Sequence, residues 1–185
     1  YPLRRQRQMC IRDSLKDAFL SAEDKSFYEH PGIDIEGVAR AALIVMRGGP
    51  MQGGSTITQQ VAKNFLLTNE RSMERKVKEA ILALRIEQAF SKDKILELYL
   101  NEIYLGMGAY GVAAASLAYF DKSVTELEIQ EAAYLAALPK APENYNPFRN
   151  PDDALGRRNW VISRMLENGE ITKAEADEAS AKPLG

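Results

Sequence analysis

Apolar positions recur three and four residues apart along most of the chain, and strict alternation is scarce, so the pattern is helical nearly throughout. One helix is predicted through Leu15–Leu20 toward Phe27, broken by Pro31-Gly32. A second covers Ile35 to Met46 and stops at Arg47-Gly48-Gly49-Pro50. Ser55, after Gly53-Gly54, is placed to N-cap a third helix reaching Phe65, because a hydroxyl there satisfies a free backbone N–H. A long helix runs from about Ser72 to Phe90. Val77, Ala80, Ile81, Leu84 and Gln88 line one side of it, and Leu82 and Ile86 extend its apolar character, so its C-terminal half is predicted to be buried. Ser91 caps the next helix, Lys92 to Ile103. Leu105-Gly106-Met107-Gly108 is a turn or short extended piece, and Val112 to Phe120 is helical again. Thr125 with Glu128 has capping-box spacing for a helix to Leu138. Asn150-Pro151 opens another that Gly169 closes, and Thr172 with Glu175 begins a last short one. The expected class is mainly α, one domain of eight or nine helices.

Composition narrows the function more than the fold. The 185 residues suit one good-sized domain, and 45% apolar with 27% charged residues is ordinary for a globular chain. A net charge of −2, with no Lys/Arg block in the main body, argues against a nucleic-acid binder. The one cysteine, Cys10, can form neither an internal disulfide nor a multi-cysteine metal site. No apolar run approaches the ~18 residues of a membrane span, and no signal peptide is visible. The string Arg4 to Ser14, RRQRQMCIRDS, resembles the frame translation of a transposase sequencing adapter. Residues 1–14 are therefore expected not to be native, with native sequence beginning near Leu15, a membrane anchor missing from this chain, and 15–185 forming the domain.

Five segments carry candidate chemistry. Glu23-Asp24-Lys25-Ser26-Phe27-Tyr28-Glu29-His30-Pro31-Gly32-Ile33-Asp34 crowds four acidic groups and the only histidine where a helix breaks. Alone it reads as a solvated acidic loop with a structural histidine, and a lone histidine makes no zinc site. Gln52-Gly53-Gly54-Ser55-Thr56-Ile57-Thr58-Gln59-Gln60 leads into a helix whose N-terminus suits an anion. There Thr56, Gln60 and Lys63, at i, i+4 and i+7, form a polar stripe ending in a cation. Arg75 and Glu79 share a face of the long helix, with Lys76 beside them, and an ordinary surface ion pair of ~0–1 kcal/mol is the plain alternative. Lys92-Asp93-Lys94-Ile95-Leu96-Glu97-Leu98-Tyr99-Leu100-Asn101 and Arg157-Arg158-Asn159-Trp160-Val161-Ile162 each read, separately, as structural helix.

Together, in this order, the five segments resemble the motifs of family 51 glycosyltransferases, the glycosyltransferase domain of class A penicillin-binding proteins. Glu23 through Gly32 fits the family's E-D-x-x-F-x-x-H-x-G at every fixed position. Gly54-Ser55-Thr56-Ile57-Thr58-Gln59-Gln60, Arg75-Lys76-x-x-Glu79, Lys92-x-x-Ile95-Leu96-Glu97-x-Tyr99-x-Asn101 and Arg157-Arg158-x-x-Val161 fit the other four. The resemblance implies a mainly α, lysozyme-like two-lobed fold, a large lobe plus a membrane-facing jaw. It implies polymerisation of lipid II into β-1,4 glycan strands, with inversion and release of undecaprenyl pyrophosphate, and Glu23 as general base. Glu79 matches the family's second essential glutamate. Asp24, Thr56, Gln60, Lys63, Arg75, Lys76 and Lys140 become substrate-binding candidates, the cations facing the pyrophosphate. Phe27, His30, Ser55, Glu97, Tyr99, Asn101, Arg157 and Arg158 become motif-structural residues.

Lipid II, the lipid-linked strand and the membrane surface are the implied partners, with a C-terminal transpeptidase domain in the intact protein and no nucleic acid. The implied location is the periplasmic face of the bacterial inner membrane. Family members often respond to Mg²⁺ or Mn²⁺, but no metal-ligand spacing is readable here and the sequence requires no cofactor. Two other readings compete: a lysozyme-like lytic enzyme, which has no need of the Lys63, Arg75 and Lys76 cations, and a catalytically silent cell-wall scaffold, against which Glu23 and Glu79 count. The apolar Phe65-Leu66-Leu67 stretch is expected to be exposed and membrane-facing.

Overall fold

The structure is a computed structural model describing residues 2–50, 53–66 and 72–184, of which residues 2–12 and Leu66 are described by backbone alone. Most of the adapter-like string, Gln52 of the second motif, and Leu66-Leu67 of the expected apolar patch thus lie outside the described side chains. Among the described residues the fold is mainly α, as expected: nine α-helices, one 3₁₀ turn and no strand beyond a single bridge between Tyr104 and Tyr110. The helices are α1 (Pro2–Glu23), α2 (Ile35–Met46), α3 (Ile57–Leu66), α4 (Met73–Ala89), α5 (Lys92–Glu102), α6 (Val112–Phe120), α7 (Ile129–Ala137), α8 (Pro151–Glu167) and α9 (Lys173–Ala181), with the 3₁₀ turn at Leu138–Lys140. The chain divides into two compact units, residues 1–25 with 100–185, and residues 26–99.

The first unit is built around α7, in which every residue from Gln130 to Ala137 is buried. Four alanines let neighbours approach closely on all sides, and α1 and α8 both pack against it. Its cap differs from expectation. Glu128, not Thr125, takes the N-cap and exchanges bonds with Glu131, so a carboxylate supplies the acceptor where a hydroxyl was predicted. The box at Thr172 and Glu175 forms as read. Arg158 was read as one of a basic pair on a structural helix, yet it is fully buried. Its Nη1 donates to Pro183 O at 2.8 Å and its Nη2 to Ser180 O at 3.2 Å, tying the end of α9 to α8.

The second unit packs α3 against α4. Phe27, Ile57, Val61, Ala62, Ala83, Ile95, Leu96 and Tyr99 are its buried apolar residues. Two expectations are corrected here. The first helix ends at Glu23 rather than running toward Phe27, because Ser26 O accepts from the amides of Glu29 and His30 and winds the chain into turns before Pro31. On α4 the buried positions are Glu79 and Ala83, while Val77, Ile81 and Leu84 are exposed. The apolar stripe at i, i+4 and i+7 is therefore surface, and α2 goes further, burying none of its twelve residues.

Candidate active site

In the first unit, Glu23 is the last residue of α1 and is half-buried, and Asp24 behind it is buried. The Asp24 amide closes the helix on Leu20 O at 2.9 Å. Arg157 on α8 lies within electrostatic reach of Glu23. Burial pushes the Arg157 guanidinium below its ordinary range, and the charges of Glu23 and then Tyr145 act in the opposite direction. Its plane stacks on the Trp160 ring, 3.8 Å from the centroid. Its Nε is buried without a hydrogen bond. Lys140 ends the 3₁₀ turn and is exposed. Asn101 is also exposed, with its backbone oxygen against Gly111.

In the second unit, the loop after Asp24 is held by its own polar groups. His30 is buried, and its Nδ1 accepts from the Gly32 amide at 3.0 Å, which places the ring proton of the neutral imidazole on Nε2. The Phe27 ring is buried and meets Tyr28 and His30 edge-on. Asp34 caps α2, its Oδ1 accepting from the Gly37 amide at 2.8 Å and its Oδ2 from Ser26 Oγ at 3.0 Å. The backbone bond first, then burial in opposition and the Ser26 bond, leave its carboxyl below the usual carboxylate range.

The three residues expected to form one polar stripe in the second motif differ in burial: Thr56 is buried, Gln60 half-buried and Lys63 exposed. Thr56, not Ser55, caps α3, its Oγ1 accepting from the Gln59 amide at 3.1 Å while Gln59 Oε1 accepts the Thr56 amide at 2.9 Å. Thr56 is buried, precedes the helix, and donates its hydroxyl to Gly32 O at 2.7 Å. Gln60 is half-buried and accepts from Tyr99 Oη at 3.3 Å, while Lys63 is exposed.

Ser55 meets the third motif instead: Lys76 Nζ donates to Ser55 Oγ at 2.7 Å and to Glu79 Oε1 at 2.5 Å. Glu79 is 2% exposed, so this is a buried carboxylate held by a half-exposed cation rather than a surface pair. Arg75 sits one residue earlier with a buried Nε that makes no hydrogen bond. Glu97 pairs with Lys94 on the surface.

Among the described residues no group of three or more His, Cys, Asp or Glu is placed to ligate a metal ion. No described helix is long and apolar enough to cross a membrane. Sequence reading placed Lys92 and Thr58 in motifs without a role and passed over Glu87, the residue that joins them. Thr58 Oγ1 and Lys92 Nζ both donate to Glu87 Oε1, each at 2.6 Å.

A family model described as Transglycosylase matches residues 5–166. The chain belongs to the transglycosylase family. It is 58% identical over 175 residues to penicillin-binding protein 1A of Aquifex aeolicus, covering 94% of this chain and 24% of that protein. To penicillin-binding protein 1A of Rickettsia felis it is 56% identical over 178 residues, covering 94% of this chain and 22% of that one. The crystal structure of penicillin-binding protein 1A from Haemophilus influenzae matches 70% of this chain and 16% of that one at 37% identity, with a TM-score of 0.49. The transglycosylase domain thus spans about a quarter or less of the length of these relatives.

Proposed function

We propose that this transglycosylase domain is a peptidoglycan glycosyltransferase that polymerises lipid II, with Glu23 as the general base. Glu23 removes the proton from the acceptor's 4-hydroxyl as that oxygen attacks the anomeric carbon of the lipid-linked strand. The bond from that carbon to the pyrophosphate breaks, undecaprenyl pyrophosphate leaves with the electron pair, and configuration inverts to a β-1,4 linkage. Asp24 orients Glu23. Lys63, Arg75, Lys76 and Lys140 neutralise the leaving group's negative charge. Glu79 positions Lys76. Thr56 acts through the backbone of the first motif, and Gln60 through Tyr99.

The observation that carries this reading is the Lys76 ammonium fixed between Ser55 and the buried Glu79, next to Arg75. A preorganised cation serves a departing pyrophosphate, whereas a glycan hydrolase releases a neutral sugar hydroxyl. The unburied apolar positions of α2, including Val38 and Leu43, support docking on a membrane surface, and hence the periplasmic face of the inner membrane. Relatives about four times as long leave room for the C-terminal transpeptidase domain proposed for the intact protein.

The test is lipid II polymerisation in detergent by the chain and by Glu23→Gln. Long strands from the first and a loss of about 10²–10⁴-fold in the second are expected. Shortening of preformed strands would favour a lytic enzyme, and tight binding of lipid II without turnover a silent scaffold. Equal rates would remove Glu23 from the base role.

A further inference from the structure

The loop that follows Glu23 and Asp24 is gripped by a knot of charged and polar side chains to which the motif reading gave no role. Lys92, the first residue of α5, donates from Nζ to His30 O at 2.7 Å and to Glu87 Oε1 at 2.6 Å. The same ammonium stands 4.5 Å from the centroid of the Phe27 ring. One cation therefore touches a loop carbonyl, a loop aromatic and a carboxylate of α4. Glu87 extends the grip to α3, accepting Thr58 Oγ1 at 2.6 Å. The Lys92 and Glu87 side chains are only 20% and 10% exposed, so this pair is far less screened than a surface ion pair.

The rest of the loop is shaped to meet this knot. Gly32 has φ +107°, and a Cβ there would come within 2.9 Å of Glu87 Cγ and 3.0 Å of Ala83 O. Only glycine lets the loop lie so close to α4 in that conformation. Thr56 Oγ1 holds Gly32 O from the side of α3, and Tyr28 Oη donates to Asp93 Oδ1 at 2.9 Å, next to Lys92. Three helices thus converge on residues 27–32 of the loop. Phe27 is three residues beyond Asp24, a tether of at most ~10 Å fully extended, so a displacement of the loop passes to the two carboxylates with little slack.

We propose that Lys92 and Glu87 are positioning residues for glycosyl transfer, acting through the loop backbone to set Glu23 and Asp24, without touching substrate. This rests on the functional reading above. The Lys92 ammonium is the part that matters for catalysis, because it bonds a loop carbonyl and the Glu87 carboxylate at once. Its alkyl stem contributes packing only.

The experiment compares the wild-type chain with Lys92→Met, which keeps the stem, Lys92→Arg, which keeps a cation, and Glu87→Gln, which keeps an acceptor for Thr58. Steady-state lipid II polymerisation is measured alongside thermal unfolding and amide hydrogen exchange across residues 28–33. Lys92→Met is expected to lose about 10²-fold in kcat, the scale of a small misplacement of reacting groups. Its KM should stay within about threefold, because the transition state and not ground-state binding is affected. Exchange in 28–33 should rise, and Lys92→Arg should recover most of the kcat. Wild-type kcat and wild-type exchange in Lys92→Met would overturn the proposal. So would a kcat loss in Lys92→Met and Lys92→Arg alike that merely follows the drop in melting temperature. Absence of polymerisation by the wild type would instead overturn the functional reading and the catalytic role with it, and unchanged exchange would then also refute the grip on the loop.

Discussion

Removing the Lys76 ammonium leaves one of the most buried carboxylates in the protein without its closest cation. Glu79 has a side chain 3% exposed, and its Oε1 is 2.5 Å from Lys76 Nζ. Breaking a fully buried pair costs about 3–5 kcal/mol, but Lys76 itself is 46% exposed, so solvent screens part of the interaction. Lys76→Met should therefore destabilise by about 2 kcal/mol, between the fully buried figure and the ~0–1 kcal/mol of a surface pair. For a domain of this size that corresponds to about 4–8 °C in melting temperature. Converting the stranded carboxylate to an amide removes most of the penalty, since an amide is far less costly to bury than an unpaired charge. The double variant Lys76→Met/Glu79→Gln should thus melt above Lys76→Met alone. Thermal unfolding followed by circular dichroism, with urea titrations to give the coupling between the two sites, reads both effects. Polymerisation should be lost in both variants, the recovery of stability in the double variant notwithstanding. A Lys76→Met protein melting within about one degree of wild type, or a double variant no more stable than the single, would refute the argument that this pair is energetically buried.

Other expected outcomes follow from single contacts. Asp17 on α1 has its pKa raised from 3.8 to about 6, by burial first and then by Glu170 and Asp13, with Lys16 opposing. Between those two values the folded state binds the proton that the unfolded state has released, so stability falls as pH rises from about 4 to 6. Asp17→Asn should flatten that fall and raise the melting temperature at pH 7, and an unchanged pH profile would contradict it. Gly111 has φ +81°, and a Cβ would stand 2.3 Å from Asn101 O. Gly111→Ala should cost about 2–4 kcal/mol, seen as a lower urea midpoint. Val38→Asp with Leu43→Asp should reduce sedimentation of the chain with phospholipid vesicles without lowering its melting temperature, since neither residue is buried.

Much of the fold was legible because punctuation and period agreed. Ile35–Met46, Val112 to Phe120 and the Pro151 start of α8 fall where apolar spacing, glycine and proline put them. The failures share a cause. Periodicity says that a helix has an apolar face but not whether anything covers it. Val77, Ile81 and Leu84 repeat as a buried stripe should and are nevertheless exposed, while Glu79 and Ala83 are the positions turned inward. Caps slipped by one to three residues, to Thr56 from Ser55 and to Glu128 from Thr125, because several neighbouring residues can supply an acceptor and tertiary contacts choose among them. Thr56 is favoured by a second bond, to Gly32 O, from a loop 24 residues away.

The site was legible as motif and illegible as geometry, and the difference matters for function. Spacing placed Arg75, Lys76 and Glu79 on one turn of helix, and spacing alone could not separate a surface pair from a buried one. What separates them is that Ser55, twenty-one residues earlier, returns to Lys76 and fixes the ammonium from its other side. The same holds for Lys92 and Glu87, five residues apart, where a helix ends and another begins between them and the i, i+4 rule does not apply. Both pairs join helix α4 to a loop or cap that carries a motif. An ion pair with each partner on one exposed helix can break with little consequence beyond the helix itself. A pair that also holds a serine of the second motif, or a loop carbonyl three residues past Phe27, cannot relax without moving what it holds. For that reason the two charged pairs, rather than the exposed cations Lys63 and Lys140, are where substitution should separate rate from binding.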